Sequence, residues 1–122
     1  MAFKFKAIDH VQLAAPKGSE DSARKFFGEI LGFEEIEKPP VLKKRGGAWF
    51  KYGICQIHVG IEEPFVPAQK AHPAFELENI EGLKQHLAAA GVEYIEDDNL
   101  PGANRIYVQD PFGNRIELLE WV

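Results

Sequence analysis

The sequence has little cysteine, no long basic run and no long apolar stretch, and each shortage excludes a class of protein. Cys55 is the only cysteine among 122 residues, which excludes an internal disulfide and a zinc site built from cysteines. A single thiol also fits a reducing, intracellular setting. Acidic residues outnumber basic ones by 19 to 14, and the net charge is −5. Nucleic acids and anionic membranes are therefore poor candidate partners.

No part of the chain is apolar for long enough to act as a signal peptide or to cross a membrane. Charged residues interrupt even the amino-terminal MAFKFKAIDHVQLAA. With 45% hydrophobic and 27% charged residues, the composition is that of an ordinary globular protein. We therefore expect a cytoplasmic protein with one domain over residues 1–122.

One order of elements occurs twice along the chain, over about residues 3–61 and about residues 71–122. In each copy a strand leads into an amphipathic helix, which Ser19 or Asn79 can cap and which Gly32 or Gly91 ends. Alternating apolar residues then predict three more strands. The predicted strands are 3–15, 33–37, 48–52 and 54–61 in the first copy, and 72–77, 92–95, 105–109 and 115–121 in the second.

Such a duplication predicts an α+β fold of two βαβββ repeats. We expect a helix on one face of each four-stranded sheet. The other faces would be concave and would together form an open half-barrel cup, with the helices on the outside. The connector between the repeats contains Pro64 and Pro67.

The last strand follows a tight turn and contains an unusual carboxylate. In DPFGNRIELLEW, Pro111 pre-sets φ and Gly113 allows a positive φ, so a turn precedes the strand. Glu117 lies between apolar neighbours, and a buried carboxylate needs a cation. Arg115 and Arg105 are local candidates for that cation, and a metal ion is another.

Four ligand-type residues occupy matched positions in the two repeats. The repeat relates His10 to His72 and His58 to Glu117, and strand parity places all four opposite the apolar face. Three imidazoles and one carboxylate suit a borderline divalent metal. The sequence thus predicts a metal site formed by His10, His58, His72 and Glu117. Alternatively, each histidine is a hydrogen-bonded structural residue.

The remaining polar residues carry weaker signals. By strand parity, Trp49, Arg105 and Tyr107 lie at the cup mouth, where we expect them to contact a substrate. The basic loop of Lys43, Lys44 and Arg45 is typical of a solvated loop, or it attracts an anionic substrate group. We interpret Cys55 as a small core residue and His86 as a solvated residue of the second helix.

Paired βαβββ units with a histidine in IDHVQLA, a histidine in AHPAFEL and a glutamate in DPFGNRIELLE resemble the vicinal oxygen chelate superfamily. This superfamily is also called glyoxalase/bleomycin resistance/extradiol dioxygenase. The resemblance implies a cup that holds a divalent metal (Zn, Ni, Mn, Co or Fe), to which vicinal oxygens of a substrate bind. It matches His10, His72 and Glu117 to the common metal triad and His58 to the fourth ligand. Sites in this superfamily often form between chains, so a homodimer is expected.

The resemblance leaves two functions open. One is a glyoxalase-like metal-dependent enzyme (a lyase, isomerase or transferase) acting on a small oxygen-rich substrate, with Glu117 or His58 as the general acid or base. The other is a non-catalytic protein of the bleomycin-resistance type that sequesters an antibiotic or metabolite. Glyoxalase I usually has a glutamate where this chain has His58, fosfomycin-modifying enzymes use a His-His-Glu site, and extradiol dioxygenases usually carry two such domain pairs.

Overall fold

Eight strands and their connecting helices form two consecutive modules in the computed structural model, which describes residues 2–122. The first module contains β1 (Val11–Ala15), α1 (Glu20–Ala23), a π-helix (Arg24–Ile30) that continues α1, β2 (Glu34–Ile36), α2 (Pro40–Lys43), β3 (Ala48–Tyr52) and β4 (Cys55–Ile61). The second module contains β5 (Ala74–Glu76), α3 (Ile80–Ala89), β6 (Ile95–Asp97), β7 (Ala103–Gln109) and β8 (Arg115–Trp121).

Each module forms one mixed sheet of four strands. The strand orders are β1-β4-β3-β2 and β5-β8-β7-β6. β1 runs parallel to β4, and β5 runs parallel to β8. All other neighbouring strands are antiparallel. The predicted α+β fold of two βαβββ repeats is therefore confirmed.

The strand register relates the two modules residue by residue. His58 pairs with Gln12 on one side and Trp49 on the other. Glu117 pairs in the same way with Ala74 and Tyr107. His58 and Glu117 thus hold equivalent places, as the sequence repeat predicts. His10 lies two positions before Gln12, and His72 lies two positions before Ala74. His10 and His72 are therefore also equivalent.

A single hydrophobic core draws side chains from both modules. The π-helix packs on β2 and β3, and α3 packs on β8. Phe33 and Phe75, from different modules, stand with ring centroids 6.2 Å apart. Each large apolar side chain that the core buries fully contributes roughly 1.5–3 kcal/mol. The fully buried members include Phe27, Phe50, Ile57, Ile80, Leu87, Ile106 and Ile116. Because this core takes the apolar side of each sheet, the polar residues occupy the opposite face, which we call the polar face.

The structure shortens several predicted strands. Residues 2–10 form no strand, and Phe3, Phe5 and Ile8 are 63%, 88% and 80% exposed, so the prediction of a strand beginning at residue 3 is wrong. His72 likewise lies just before β5, and β6 begins at Ile95. Alternating apolar side chains are typical of a strand, but a segment forms a strand only where a neighbouring strand supplies its hydrogen bonds.

Of the two predicted amino-terminal caps, the structure confirms one, and both predicted stops, Gly32 and Gly91, follow their helices with positive φ. Asn79 caps α3, because its Oδ1 accepts a hydrogen bond from the amide of Gly82 at 3.1 Å. Ser19 makes no such bond, and its buried hydroxyl has no partner within residues 2–122. Glu20 instead accepts a hydrogen bond from the amide of Gly47 at 2.8 Å. This bond joins the start of α1 to the loop before β3.

Two further features differ from the sequence prediction or qualify it. Part of the predicted basic loop is the short helix α2, for which Pro40 is a favourable first residue. His86 is exposed as predicted, yet its Nε2 donates to the carbonyl of Ile30 at 2.7 Å and so connects the helices of the two modules. None of the helices formed by residues 2–122 is both long and apolar enough to span a bilayer.

Candidate metal and substrate site

Glu117 is buried on the polar face of the second sheet, where three side chains bind its carboxylate. Nε2 of His72 lies 3.0 Å from Oε1, and the hydroxyl of Tyr107 donates to the same oxygen at 3.2 Å. Arg105 donates from Nη1 to Oε2 at 3.3 Å and from Nη2 to Asp97 at 3.2 Å. Of the two arginines that the sequence offered as counter-ions, Arg105 is therefore the one that pairs with Glu117.

These contacts fix the charges of the cluster. Burial alone would raise the pKa of Glu117, but the hydrogen bonds from His72 and Arg105 outweigh it and hold that pKa below its usual value. Burial and the nearby charge of Glu117 raise the pKa of Tyr107. At neutral pH, Glu117 is thus an ionised acceptor and Tyr107 a protonated donor.

His72 stands between two acceptors. Its Nδ1 lies 2.7 Å from the carbonyl oxygen of Lys70, and its Nε2 faces the carboxylate of Glu117. A neutral imidazole has only one N–H to donate. The arrangement therefore requires either a proton on both nitrogens or a cation shared by Nε2 and the carboxylate. Two ligands at right angles about an ion, each about 2.1 Å from it, stand about 3 Å apart. The His72–Glu117 pair fits half of a metal site by this test.

His58 of the first sheet forms a second pair with His10, which directly precedes β1. The ring of His58 is sandwiched between those of Trp49 and His10, with centroid separations of 3.8 and 3.9 Å and interplanar angles of 5° and 15°. Burial, followed by the charge of His10, lowers the pKa of His58 to about 4. His58 is thus neutral at pH 7 and keeps a lone pair for a ligand. Because the rings are nearly parallel, their lone pairs do not point at one common position.

The structure brings the four predicted ligands together as two separate pairs, His10 with His58 and His72 with Glu117. Within residues 2–122, no three His, Cys, Asp or Glu side chains are grouped so that they could hold a metal ion. His10 stacks on His58, and His72 contacts Glu117. The residues fit a divalent metal in kind, and each module supplies half of the donors.

The family model of the Glyoxalase/Bleomycin resistance protein/Dioxygenase superfamily matches residues 7–118. This chain belongs to that superfamily. No curated protein shows significant similarity to the sequence.

Solved structures superpose on 93–100% of this chain. A structure described as a glyoxalase family protein from Bacillus anthracis is 53% identical, covers 100% of both chains and has a TM-score of 0.97. A glyoxalase family protein from Enterococcus faecalis is 28% identical over 95% of this chain and 98% of its own, with a TM-score of 0.77. Lactoylglutathione lyase from Agrobacterium tumefaciens is 22% identical over 93% and 92%, with a TM-score of 0.73, and this likeness shows the fold alone.

The three predicted substrate residues all lie beside the predicted ligands of this superfamily member. Trp49 stacks on His58, and Tyr107 donates a hydrogen bond to Glu117. Arg105 is held by the carboxylates of Asp97 and Glu117, which leaves its buried Nε as the one guanidinium nitrogen without a partner among residues 2–122. Each of the three residues therefore contacts one of the predicted ligands, and their contact with a substrate stays a prediction.

Arg115 lies on the polar face as well, and sequence reasoning did not assign it to the substrate. Its Cζ lies 3.9 Å from the centroid of the Tyr107 ring. The sequence signal was present, because Arg115 precedes Glu117 by two positions in one strand and so shares its face. Strand parity placed both Arg105 and Arg115 on the polar face. The fold shows that Arg105 binds Glu117, whereas Arg115 lies over the ring of Tyr107.

The turn before β8 determines where that strand starts. Oδ1 of Asp110 accepts hydrogen bonds from the amides of Phe112 and Asn114 at 2.9 and 2.8 Å, and Gly113 has a φ of 92°. Nδ2 of Asn114 donates to Oδ2 of Asp110 at 2.8 Å and to the carbonyl oxygen of Ala14 at 2.7 Å. The turn therefore positions Glu117 and also connects β8 to β1 of the other module.

Proposed function

We propose that this protein is a glyoxalase-like metal-dependent enzyme that acts on a small oxygen-rich substrate chelated to a divalent metal. His10, His58, His72 and Glu117 are the proposed ligands. The observation that carries this proposal is His72, whose two ring nitrogens face the carbonyl of Lys70 and the carboxylate of Glu117. His72 would bind a metal ion through Nε2 and donate its Nδ1–H to the carbonyl of Lys70, which would satisfy both acceptors with a neutral ring.

The proposed site is completed by a second copy of the chain. With the ring of His10 turned out of its stack on His58, this pair of one copy would meet the His72–Glu117 pair of the other, which gives two equivalent sites in a homodimer. The equivalence of the two pairs in the strand register supports this arrangement. Proteins of this superfamily often form dimers, which also supports it. Two pairs held in separate modules give a reason why no three donors are grouped within residues 2–122.

The residues around the site have distinct proposed roles. A bound divalent ion would polarise substrate oxygens and stabilise negative charge that develops on them. Glu117 is ionised at neutral pH and so would be free to accept a proton from the substrate. Tyr107 keeps its own proton and donates a hydrogen bond to Glu117. Trp49 covers one face of His58 and shields that ring from water.

Metal content tests the proposal directly. We expect purified wild-type protein to contain a divalent metal by elemental analysis and to show a higher thermal unfolding midpoint with the metal than after chelation. His72→Ala should lose both properties, because it removes a member of the common metal triad and leaves Glu117 without its neighbouring donor. His86→Ala removes a histidine outside both pairs and should keep both properties. Wild-type protein without metal and without a metal-dependent shift would contradict the proposal.

A non-catalytic ligand-binding function is the second candidate, and the position of Arg105 favours it. Arg105 already compensates the charge of Glu117, so the carboxylate is satisfied without a metal. A sequestering protein would bind its antibiotic or metabolite in the cup and would be stabilised by it. That stabilisation should survive Glu117→Ala if the function is metal-independent binding, and its loss in this variant would count against the second candidate.

A further inference from the structure

Arg115 carries a cation that no carboxylate neutralises within residues 2–122. Its half-buried guanidinium lies over the ring of Tyr107, 3.9 Å from the centroid. Arg105, the other arginine near this ring, pairs with both Asp97 and Glu117. The two arginines therefore differ in availability, since Arg105 is neutralised and the N–H groups of Arg115 remain open to a ligand.

The location of Arg115 places this cation beside the proposed metal ligands. Arg115 and Glu117 share one face of β8 two residues apart, which corresponds to about 7 Å along the strand. Gln109 lies directly opposite Arg115 on β7 and brings no charge. A molecule of a few bonds in length can thus reach Glu117 and Arg115 at once.

Tyr107 orients the guanidinium. A cation–π contact restrains the plane of an arginine side chain while its N–H edges stay available. The hydroxyl of Tyr107 is itself hydrogen-bonded to Glu117 at 3.2 Å, so the ring that supports Arg115 is fixed relative to a proposed ligand. A planar, positioned guanidinium is suited to two parallel hydrogen bonds with a carboxylate or a phosphate.

The other basic group that could attract an anion is less suitable. In the loop of Lys43, Lys44 and Arg45, Lys43 is paired with Glu37 at 2.6 Å. All three side chains are exposed, so solvent screens their charges. We propose that Arg115 forms an anion-binding subsite beside Glu117, and that the substrate carries a carboxylate or phosphate group a few bonds from its chelating oxygens. This inference rests on the proposed function.

Matched pairs of 2-hydroxy acids test the subsite by titration calorimetry on the metal-loaded protein. Malate and 2-hydroxybutyrate have the same carbon chain and differ in a second carboxylate, whereas 3-phosphoglycerate and glycerate differ in a phosphate. We expect the extra anionic group of at least one pair to tighten binding about tenfold or more, which is ~1.4 kcal/mol at 25 °C. The pair that shows the gain identifies the anion as a carboxylate or a phosphate.

Variants assign the gain to a residue. Arg115→Gln should abolish it, and Arg115→Lys should keep part of it, because lysine retains the charge without the planar fork. Arg45→Gln removes the same charge from the exposed basic loop and should leave the gain intact. Thermal unfolding of each variant checks that it folds. A gain that persists in Arg115→Gln, or that disappears equally in Arg45→Gln, overturns the subsite.

Failure of the subsite is distinguishable from failure of the proposed function. If the protein holds a metal and binds both members of each pair equally, the subsite is wrong while the metal-dependent function stands. If the protein takes up no metal, the proposed function is wrong, and inorganic phosphate titrated against wild type and Arg115→Gln still decides whether Arg115 binds an anion. Equal phosphate affinity of these two proteins would then refute the subsite.

Discussion

At the scale of single residues, the chain accommodates the buried carboxylates of Glu117 and Asp110 by giving each of them several partners. Glu117 receives hydrogen bonds at both carboxylate oxygens, and Asp110 accepts bonds from two backbone amides and the side chain of Asn114. A buried polar group that loses its partner keeps its desolvation cost. Variants that remove one partner should therefore cost more than variants of exposed residues of the same type.

Asn114 gives a direct test at this scale. Asn114→Ala removes the hydrogen bonds to the carbonyl oxygen of Ala14 and to Asp110, so we expect the free energy of unfolding to fall by about 1–3 kcal/mol. Asn104 is exposed, and its side chain makes no hydrogen bond with residues 2–122. Asn104→Ala should accordingly change stability by less than ~0.5 kcal/mol. Urea unfolding of both variants measures the difference, and equal losses would contradict this account of the turn.

At the scale of elements, local chemistry decides which predictions hold. The bounds of β8, Arg115–Trp121, agree with the sequence prediction, because the turn residues and the alternation both lie within a dozen residues. The first helix was predicted from its apolar spacing, but the same spacing does not show that Arg24–Ile30 adopts the wider π-helical form.

The first turn of α3 is held by a carboxylate from β8. The amides of Asn79 and Ile80 donate to the carboxylate of Glu120 at 2.9 and 3.0 Å, and these bonds lower the pKa of Glu120 below its ordinary value of 4.5. A carboxyl group with a lowered folded-state pKa stabilises the fold above its unfolded-state value. That contribution is lost as the pH falls through the folded-state pKa.

Glu120→Gln should therefore lower the urea unfolding midpoint at pH 7, and the difference from wild type should shrink as the pH is lowered below 4.5. Glu93→Gln removes an exposed carboxylate that makes no hydrogen bond with residues 2–122 and controls for the loss of one negative charge. A Glu120→Gln effect of the same size at neutral and acidic pH would show that the carboxylate charge does not support α3.

Features that depend on residues close together in the sequence could be predicted, and features that depend on distant residues could not. The repeat, the polar-face residues and the cap at Asn79 depend on residue type and spacing, and they were predictable. Whether residues 2–10 pair with another strand depends on a distant neighbour, and the prediction there was wrong. Arg105 pairs with Glu117 because its side chain extends from β7 to the neighbouring strand β8. Strand parity does not predict which side chain reaches the carboxylate.

At the scale of the whole molecule, the proposed site requires two chains. A mixture of two variants, each lacking one proposed ligand, tests this requirement. His10→Ala damages the first-module pair and His72→Ala the second-module pair. In a homodimer with shared sites, a mixed dimer has one site with both lesions and one intact site. We expect each variant alone to bind little metal, and a subunit-exchanged mixture to recover up to half of the wild-type sites among its mixed dimers.

His10→Ala mixed with His58→Ala is the matched control, because both lesions fall in the same pair and no intact site can form. Elemental analysis after exchange and gel filtration measures the recovered metal. If neither mixture recovers metal although mixed dimers form, the four ligands do not come from two chains in the way proposed.

The hydrophobic core shared by both modules has a consequence for the evolutionary origin of the chain. A single module supplies only half of the cluster that includes Phe33 and Phe75 at 6.2 Å, and alone it would expose that face to water. An ancestor of half this length would have needed a second copy of itself to be stable. A fusion of two such copies would replace an encounter between two molecules with a covalent link, and it would leave the two halves free to carry different residues at equivalent places, such as His58 and Glu117.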